Sequence, residues 1–292
     1  MDKKFLIALN EKIDMPAEAK NQIYDTFDII LKDNDFKQKY DKINCDFFDS
    51  GDVLKRIHDL AAIKNIHPDL LTLVFLEMFS ENTLKLYGSS DLDLTEHIFY
   101  HTMEDFTIWV NVCKRDYGHW GIKEYYWLQK HLRAELYHLG RMQYHYIKFN
   151  KDSYSNKYIN VKRDDTVINI HIPEGHSFDR ATRLESYRIA YKLLKCNIFV
   201  CDSWLLYPKH RDFLPRYSNI LNFMDDFNIF DSHESTDMSN MWRIFNRRET
   251  YIPSELPRNT GLQRAYADWL AAEGVTGSGY GIFYFDGENI LK

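Results

Sequence analysis

The sequence predicts an α + α/β architecture, a helical bundle followed by a mixed-sheet domain. Two observations carry this: an uneven spread of chain breakers, and a change in hydrophobic period near residue 140. The first 139 residues hold only Pro16, Pro68, Gly51, Gly88, Gly118 and Gly121, whereas the remainder holds the other five prolines and eight glycines. Breakers mark turns, so the first part is built from long elements and the second from short ones. The predicted domains are therefore 1–139 and 140–292.

Helical spacing runs through the first part. Ile23, Phe27, Ile30 and Leu31 follow Pro16, placed where a first-turn proline belongs. Pro68 opens a stretch through Leu70, Leu71, Val74, Leu76, Met78 and Phe79 that is apolar nearly all round, the mark of a bundle's central helix. Asp93 or Thr95 can cap the next helix, whose stripe is Phe99, Met103, Phe106, Val110 and Cys113. A last helix is expected from about Lys123 to Tyr137.

After Gly140 the pattern becomes β-like over 142–149. Thr166-Val167-Ile168-Asn169-Ile170-His171-Ile172 reads as a strand stopped by Pro173. A helix with Leu184, Tyr187, Tyr191 and Leu194 on one face follows, then a strand at Ile198-Phe199-Val200-Cys201. This strand–helix–strand unit should be a crossover that sets two strands parallel. Further strands are expected at Phe227–Asp231, Met241–Phe245 and Gly281–Phe285, with a helix over about Leu262–Ala272. In the glycine-rich run 274–281, Gly274 is expected as a left-handed cap and the other glycines as turn formers.

Composition narrows the function. The chain has 292 residues, 45% hydrophobic, 27% charged and 15% aromatic, with net charge −6. Mean hydropathy is −0.48 and the pI is near 6.1. A mildly acidic protein of this kind is not a general nucleic-acid binder. No apolar run reaches the roughly 18 residues of a membrane span. The start, Met1-Asp2-Lys3-Lys4, lacks a secretory h-region, and Cys45, Cys113, Cys196 and Cys201 show no metal-type spacing. A cytoplasmic protein with free thiols is expected.

Ligands of a crossover unit meet the chain beyond the carboxyl ends of its strands. The first strand ends in His171-Ile172-Pro173-Glu174-Gly175-His176-Ser177 and the second in Cys201-Asp202-Ser203-Trp204. On neighbouring strands, His171 and Cys201 can lie at one height, where an imidazole activates a thiol or deprotonates an amine or water. Against this, a strand cysteine is commonly a small hydrophobe and a strand histidine a satisfied buried polar group. Ser177 or Asp179 can cap the helix that follows, and its first N–H groups suit an anion such as a pyrophosphate. His97, His101 and Asp105 share a helical face, but the spacing is weak and no metal is expected. Arg243, Arg247 and Arg248 form a basic edge.

Several stretches together resemble a bacterial two-domain acyltransferase family, with a helical N-acyltransferase-type N-terminal domain and a GNAT-like C-terminal domain. They are His138-Leu139-Gly140-Arg141-Met142-Gln143, His171-Ile172-Pro173-Glu174-Gly175, Cys201-Asp202-Ser203-Trp204-Leu205-Leu206, Leu214-Pro215-Arg216-Tyr217-Ser218-Asn219-Ile220 and Leu262-Gln263-Arg264. Trp127-Leu128 adds a weaker match in the helical half. The resemblance implies acyl transfer from a thioester, coenzyme A in the first place, to a small-molecule or peptide amine. It also implies a donor arm lying between splayed parallel strands, here 166–172 and 197–203.

The usual pyrophosphate signature is absent, and Pro173-Glu174-Gly175-His176 stands in its place. On this reading His171 is the general base, and Cys201 is an acyl carrier or tunnel residue. Ser203 or Tyr217 returns a proton to the thiolate, and Glu174, Gly175, His176, Ser177 and Trp204 border the donor. A Cys–His hydrolase and a non-catalytic acyl-CoA-binding protein are the competing readings. Oligomeric state has no signature in the sequence.

Overall fold

The structure, a computed structural model, describes residues 2–175, 177–235, 241–246 and 252–292. The chain divides into two compact units, Met1–His138 and Leu139–Lys292.

The first unit is helical: α1 (Lys3–Lys12), α2 (Ala17–Lys32), α3 (Asn34–Cys45), α4 (Val53–Ile63), α5 (Pro68–Gly88), α6 (Glu96–Tyr117) and α7 (Tyr125–Leu132). Pro68 occupies the first turn of α5, and the His67 side chain accepts the Asp69 N–H. From Leu70 to Met78 every residue of α5 is buried, as its all-round apolar character requires. Of the two expected caps for α6, Thr95 does the work by accepting the Ile98 N–H. Helix α7 is shorter than expected: it stops at Leu132, and the chain turns through Ala134 with φ +54°. Leu136–Leu139 is instead a strand, β1, four buried residues in succession.

One polar group is trapped inside α5. Glu77 is wholly buried, and among the described residues its carboxylate accepts one hydrogen bond, from Asn10 Nδ2 at 2.9 Å. Burial pushes its carboxyl up to about 8, so it is held protonated through most of the neutral range.

The second unit adds β2 (Met142–Lys148), β3 (Ser153–Ser155), β4 (Asn160–Lys162), β5 (Thr166–His171), α8 (Arg180–Leu194) and β6 (Ile198–Ser203). A 3-10 turn at Trp204–Leu206 leads to α9 (His210–Phe213), α10 (Asn219–Met224), β7 (Asn228–Ser235) and α11 (Met241–Phe245). The chain ends with α12 (Gly261–Ala271), β8 (Thr276–Phe285) and β9 (Ile290–Leu291). Within this unit the sheet order is β2-β5-β6-β8-β7, with β9 on β8. The expected crossover is present: β5 and β6 are parallel and α8 joins them. Tyr187 of α8 packs on Phe199 and Phe283 of one sheet face. The opposite face carries Val167, Val200, Tyr280 and Ile282, packed with Phe149, Ile159 and Val161 beside the β3–β4 hairpin.

Two local expectations are corrected. Met241–Phe245 is helix, because Met241, Ile244 and Phe245 sit at i, i+3 and i+4 and pack with Tyr266, Ala267 and Leu270 of α12. The glycine-rich run is mostly strand: Gly277, Gly279 and Gly281 lie within β8, and the left-handed residue after α12 is Glu273 rather than Gly274. Steric room explains these glycines. A Cβ on Gly279 would stand 2.1 Å from the Leu206 carbonyl oxygen, so the bare backbone admits the 3-10 turn against the sheet.

Two stability measurements test this account. Gly279→Ala is expected to cost about 1–3 kcal/mol in urea denaturation, since backbone rather than a movable side chain blocks the new methyl. For Glu77 the folded-state carboxyl titrates above the unfolded one, so the native state holds the extra proton between about pH 4.5 and 8. Stability therefore falls as pH rises across that window, and Glu77→Gln should flatten the fall, read as Tm against pH.

Candidate active site

The geometry of the central parallel pair defines the site. The β5–β6 ladder consists of Ile168↔Phe199 and Asn169↔Val200 alone, although β5 continues to His171 and β6 to Ser203. Each strand is still held on its outer side, with β2 paired to β5 through Gln143↔His171 and β8 paired to β6 through Ser203↔Gly279. The two strands thus part at their carboxyl ends while their outer neighbours stay attached.

Strand alternation then fixes which side chains line this fork. Gln143 pairs with His171 on one side, and Asp202 pairs with Tyr280 on the other. Counting two residues on from Asn169↔Val200 places His171 level with Asp202. Gln143, His171, Asp202 and Tyr280 therefore form one polar row across a single sheet face. Behind it stand His145 and Asn169, which are also paired.

The histidines are coupled. His171 Nε2 lies 3.1 Å from His145 Nδ1 and 3.0 Å from Asn169 Nδ2, and the two rings stack 15° from parallel at 4.8 Å. A proton taken up by one imidazole can pass to the other. Two buried donors in the row, Gln143 Nε2 and Tyr280 Oη, have no hydrogen-bond partner among the described residues. Burial and the nearby Asp202 carboxylate push the Tyr280 phenol up to about 12, so it stays protonated at neutral pH.

Cys201 does not face His171. The register puts it one residue beyond Val200, on the face of Phe199, and it is 0% exposed. Burial first, and then the Asp202 charge, pushes its thiol far above the ordinary range, the opposite of what a nucleophile needs. Ser203 shares that face, and its oxygen accepts the Leu205 N–H to cap the 3-10 turn. Tyr217 is 89% exposed, unlike the buried Gln143 and Tyr280 of the row. Trp204 packs edge-on to His210 and Tyr266, beside the apolar cluster of α11 and α12.

Around the loop, Glu174 and Gly175 are exposed, Gly175 with φ +91°, while His176 lies outside the described residues. Ser177 donates to Asp179, and Asp179 is the cap of α8, accepting the Thr182 N–H. Those bonds hold the Asp179 carboxyl well below its usual range, so the first turn of α8 already carries an anion of its own. Of the basic edge, Arg243 stacks on Trp242, and Arg247 and Arg248 lie outside the described residues.

The helical metal trio is not assembled as expected. The Asp105 carboxylate is buried and takes N–H groups from Trp109 and Trp127, with His131 Nε2 at 3.0 Å. His101 instead stacks on His138 at 3.9 Å, 14° from parallel, with Glu104 nearby. The ligand atoms of His101, Glu104 and His138 nevertheless lie within 4.8 Å of one another, a spacing compatible with a metal ion. A second cluster, His67, Asp69 and His119, is satisfied by Lys123 at 2.8 Å from Asp69 and by the cap bond on His67 Nδ1.

Sequence reasoning missed His145, Asn169, Gln143 and Tyr280. Gln143 stood in a quoted motif, and the alternation that selects Asn169 with His171 was visible. The partners across the sheet required the register.

The fold and fork define a GNAT-type acyltransferase architecture. The family described as "GNAT-like C-terminal domain" matches residues 136–283, and "N-acyltransferase N-terminal domain" matches residues 4–134. The chain belongs to this family of two-domain acyltransferases. Comparison with curated proteins gives no match. Among solved structures, it is similar to an acyltransferase in complex with decanoyl-CoA and teicoplanin, at 17% identity and a TM-score of 0.72, covering 95% of this chain and 87% of that one. A mutant acyltransferase in complex with octanoyl-CoA is similar to the same degree, with 17% identity, a TM-score of 0.72 and coverage of 96% and 87%. No described helix is long and apolar enough to cross a membrane.

The environment of the thiols gives a direct check. Iodoacetamide at neutral pH should label the exposed Cys45 and leave Cys201 unmodified until the protein is denatured, as read by peptide mass spectrometry.

Proposed function

We propose that the protein transfers an acyl group from acyl-CoA directly to an amine, with residues 140–292 forming the catalytic domain. The parting of β5 and β6 beyond Asn169↔Val200 is the observation that carries this reading, since it leaves a fork for an extended donor arm beside a histidine. The similar solved acyltransferases hold octanoyl- or decanoyl-CoA, which supports a CoA thioester donor and a medium-length acyl chain. One of them also holds teicoplanin, which supports a small-molecule or peptide acceptor.

His171 takes the proton from the attacking amine and shares it with His145. The amine nitrogen adds to the thioester carbonyl, and donors at the fork stabilise the oxyanion; the buried, unpartnered Gln143 Nε2 supports its having this role. The carbon–sulfur bond then breaks, the thiolate receives the Tyr280 phenolic proton to give amide and free CoA, and the proton held by the histidines returns to the phenolate through solvent to reset the site. Tyr280 suits this role better than Ser203 or Tyr217, because it shares the face of His171. Cys201 acts only in packing, which also weighs against a Cys–His hydrolase.

Steady-state kinetics with an acyl-CoA series and an amine panel test the scheme. His171→Ala should lower kcat by about 10²–10⁴-fold, the usual range for a lost general base. Tyr280→Phe should lower kcat with little change in donor KM, and Cys201→Ala should keep wild-type turnover. Loss of turnover in Cys201→Ala, or an acyl-thioester adduct on Cys201, overturns direct transfer.

A further inference from the structure

Lys123 balances the charge of Asp69 at the start of α5, but two further side chains are gathered beside the same carboxylate. The connection between α6 and α7 brings them there. Gly118 ends α6 in the left-handed region at φ +80°, and the chain then folds back on the first turn of α5. The Ile122 N–H donates to the Asp69 carbonyl at 3.0 Å, and a Cβ on Gly121 would stand 2.7 Å from that carbonyl carbon. The connection is thus pressed onto α5, with His119 against Asp69 and against Cys113 near the end of α6.

His119 Nε2 lies 2.9 Å from Asp69 Oδ2 and 3.5 Å from Cys113 Sγ, and Lys123 Nζ lies 2.8 Å from the same Asp69 oxygen. The other ring nitrogen, Nδ1, faces the Tyr117 carbonyl at 3.2 Å and so carries a hydrogen. A neutral ring then presents a lone pair from Nε2 to a carboxylate oxygen. Two acceptors this close hold together only around a cation, either a proton on Nε2 or a metal ion. A proton serves one neighbour of Nε2, whereas an ion serves carboxylate, imidazole and sulfur together. Cys113 and Asp69 are buried, at 1% and 5% exposure. Burial first, and then the Asp69 charge, pushes the Cys113 thiol up to about 12, so without a cation it is a neutral thiol among charged groups.

The donor set and its spacing suit a borderline-soft divalent ion. A tetrahedral zinc site separates sulfur from nitrogen by about 3.6 Å and nitrogen from oxygen by about 3.3 Å. The sulfur–nitrogen pair already matches, and the nitrogen–oxygen pair has only to open slightly. The bond from Nδ1 to a backbone carbonyl is the outer partner that orients a ligating imidazole. His119 is half-buried and His67 exposed, so the cluster opens to solvent on one side. His67 stacks on His119 at 3.8 Å but gives its Nδ1 to the Asp69 N–H, so it stays outside the ligand set.

We propose that Cys113 Sγ, His119 Nε2 and Asp69 Oδ2 bind one zinc-class divalent ion, with water in the fourth position, which clamps the end of α6 and the α6–α7 connection to the start of α5. On binding, the thiol proton and any proton on Nε2 go to solvent. Lys123 swings off the carboxylate toward the Tyr117 ring, over which it already lies at 4.7 Å. The site belongs to the helical unit and does not depend on the acyl-transfer reading.

Full-length protein stripped with a chelator is titrated with Zn²⁺ in a calorimeter and with Co²⁺ in a spectrophotometer. Wild type is expected to take up one equivalent of zinc, to gain Tm with it, and to give a thiolate-to-cobalt charge-transfer band in the near ultraviolet. Cys113→Ser should remove the band and weaken zinc binding at least about a hundredfold, beyond what loss of an outer partner costs. Should Cys113→Ser lose its helical circular dichroism, His119→Gln at its half-buried position makes the same comparison. Lys123→Gln removes the competing ammonium and should tighten zinc at least about twofold, the worth of an ion pair near the surface. That gain cannot come from damage to the fold. No stoichiometric zinc in wild type, or a cobalt complex without the thiolate band, overturns the proposal. Equal or weaker binding in Lys123→Gln overturns the ligand role of Asp69. Zinc uptake that survives in Cys113→Ser but is lost in His101→Ala puts the ion on the other histidine cluster and overturns this site.

Discussion

The short ladder between β5 and β6 is the constraint on which the rest of the second unit depends. Parallel strands held on both outer edges would ordinarily pair along their whole overlap, because each unpaired backbone group in a sheet interior is costly. Here pairing stops after Asn169↔Val200 while β2 and β8 keep their grip to Gln143 and Gly279. The sheet therefore opens in its middle rather than at an edge, and backbone N–H and C=O groups of both strands become available to an extended ligand. A thioester arm with amide groups of its own can satisfy them as a strand would, which is the physical logic of recognition by strand addition.

Several features of the sequence serve that opening. Pro173 ends β5 two residues past His171, and the 3-10 turn at Trp204–Leu206 ends β6, so neither strand can continue and close the gap. The glycines of β8 let that turn sit against the sheet, because side chains at Gly279 and Gly281 would collide with Leu206. Buried Arg183 ties α8 to Asp226 and Asn222, which keeps the crossover helix anchored while the strands diverge. The motif around Leu262-Gln263-Arg264 is structural as well: Gln263 closes a capping box with Thr260 and donates to the Ile244 carbonyl, fixing α12 to α11.

How much of this was legible from residues alone follows from the range of the interactions involved. Helix caps, the first-turn proline of α5 and the β5–α8–β6 crossover are local in sequence, and the amino-acid pattern carries them. The position of His171 at the carboxyl end of β5 was also visible, because Pro173 two residues on stops the strand. The pairing of His171 with Cys201 failed for a geometric reason. Equal height on adjacent strands does not mean a shared face, and a one-residue offset in register sends a side chain to the other side of the sheet. Once Asn169 is matched with Val200, Cys201 belongs with Phe199 and Asp202 belongs with His171. Met241–Phe245 failed because a five-residue apolar run has no length to separate strand from helix, and packing on α12 decides it.

The same offset changes the chemistry that the site can support. A thiol beside an imidazole would favour a covalent intermediate, and a carboxylate row would favour general acid–base work. Asp202 and Tyr280 stand across the fork from His171 and His145. On the proposed scheme the histidines would meet the proton of the attacking nitrogen from one side and the phenol would serve the departing sulfur from the other. Which groups face one another across the opening is thus set by strand register, and the opening begins where the β5–β6 ladder stops.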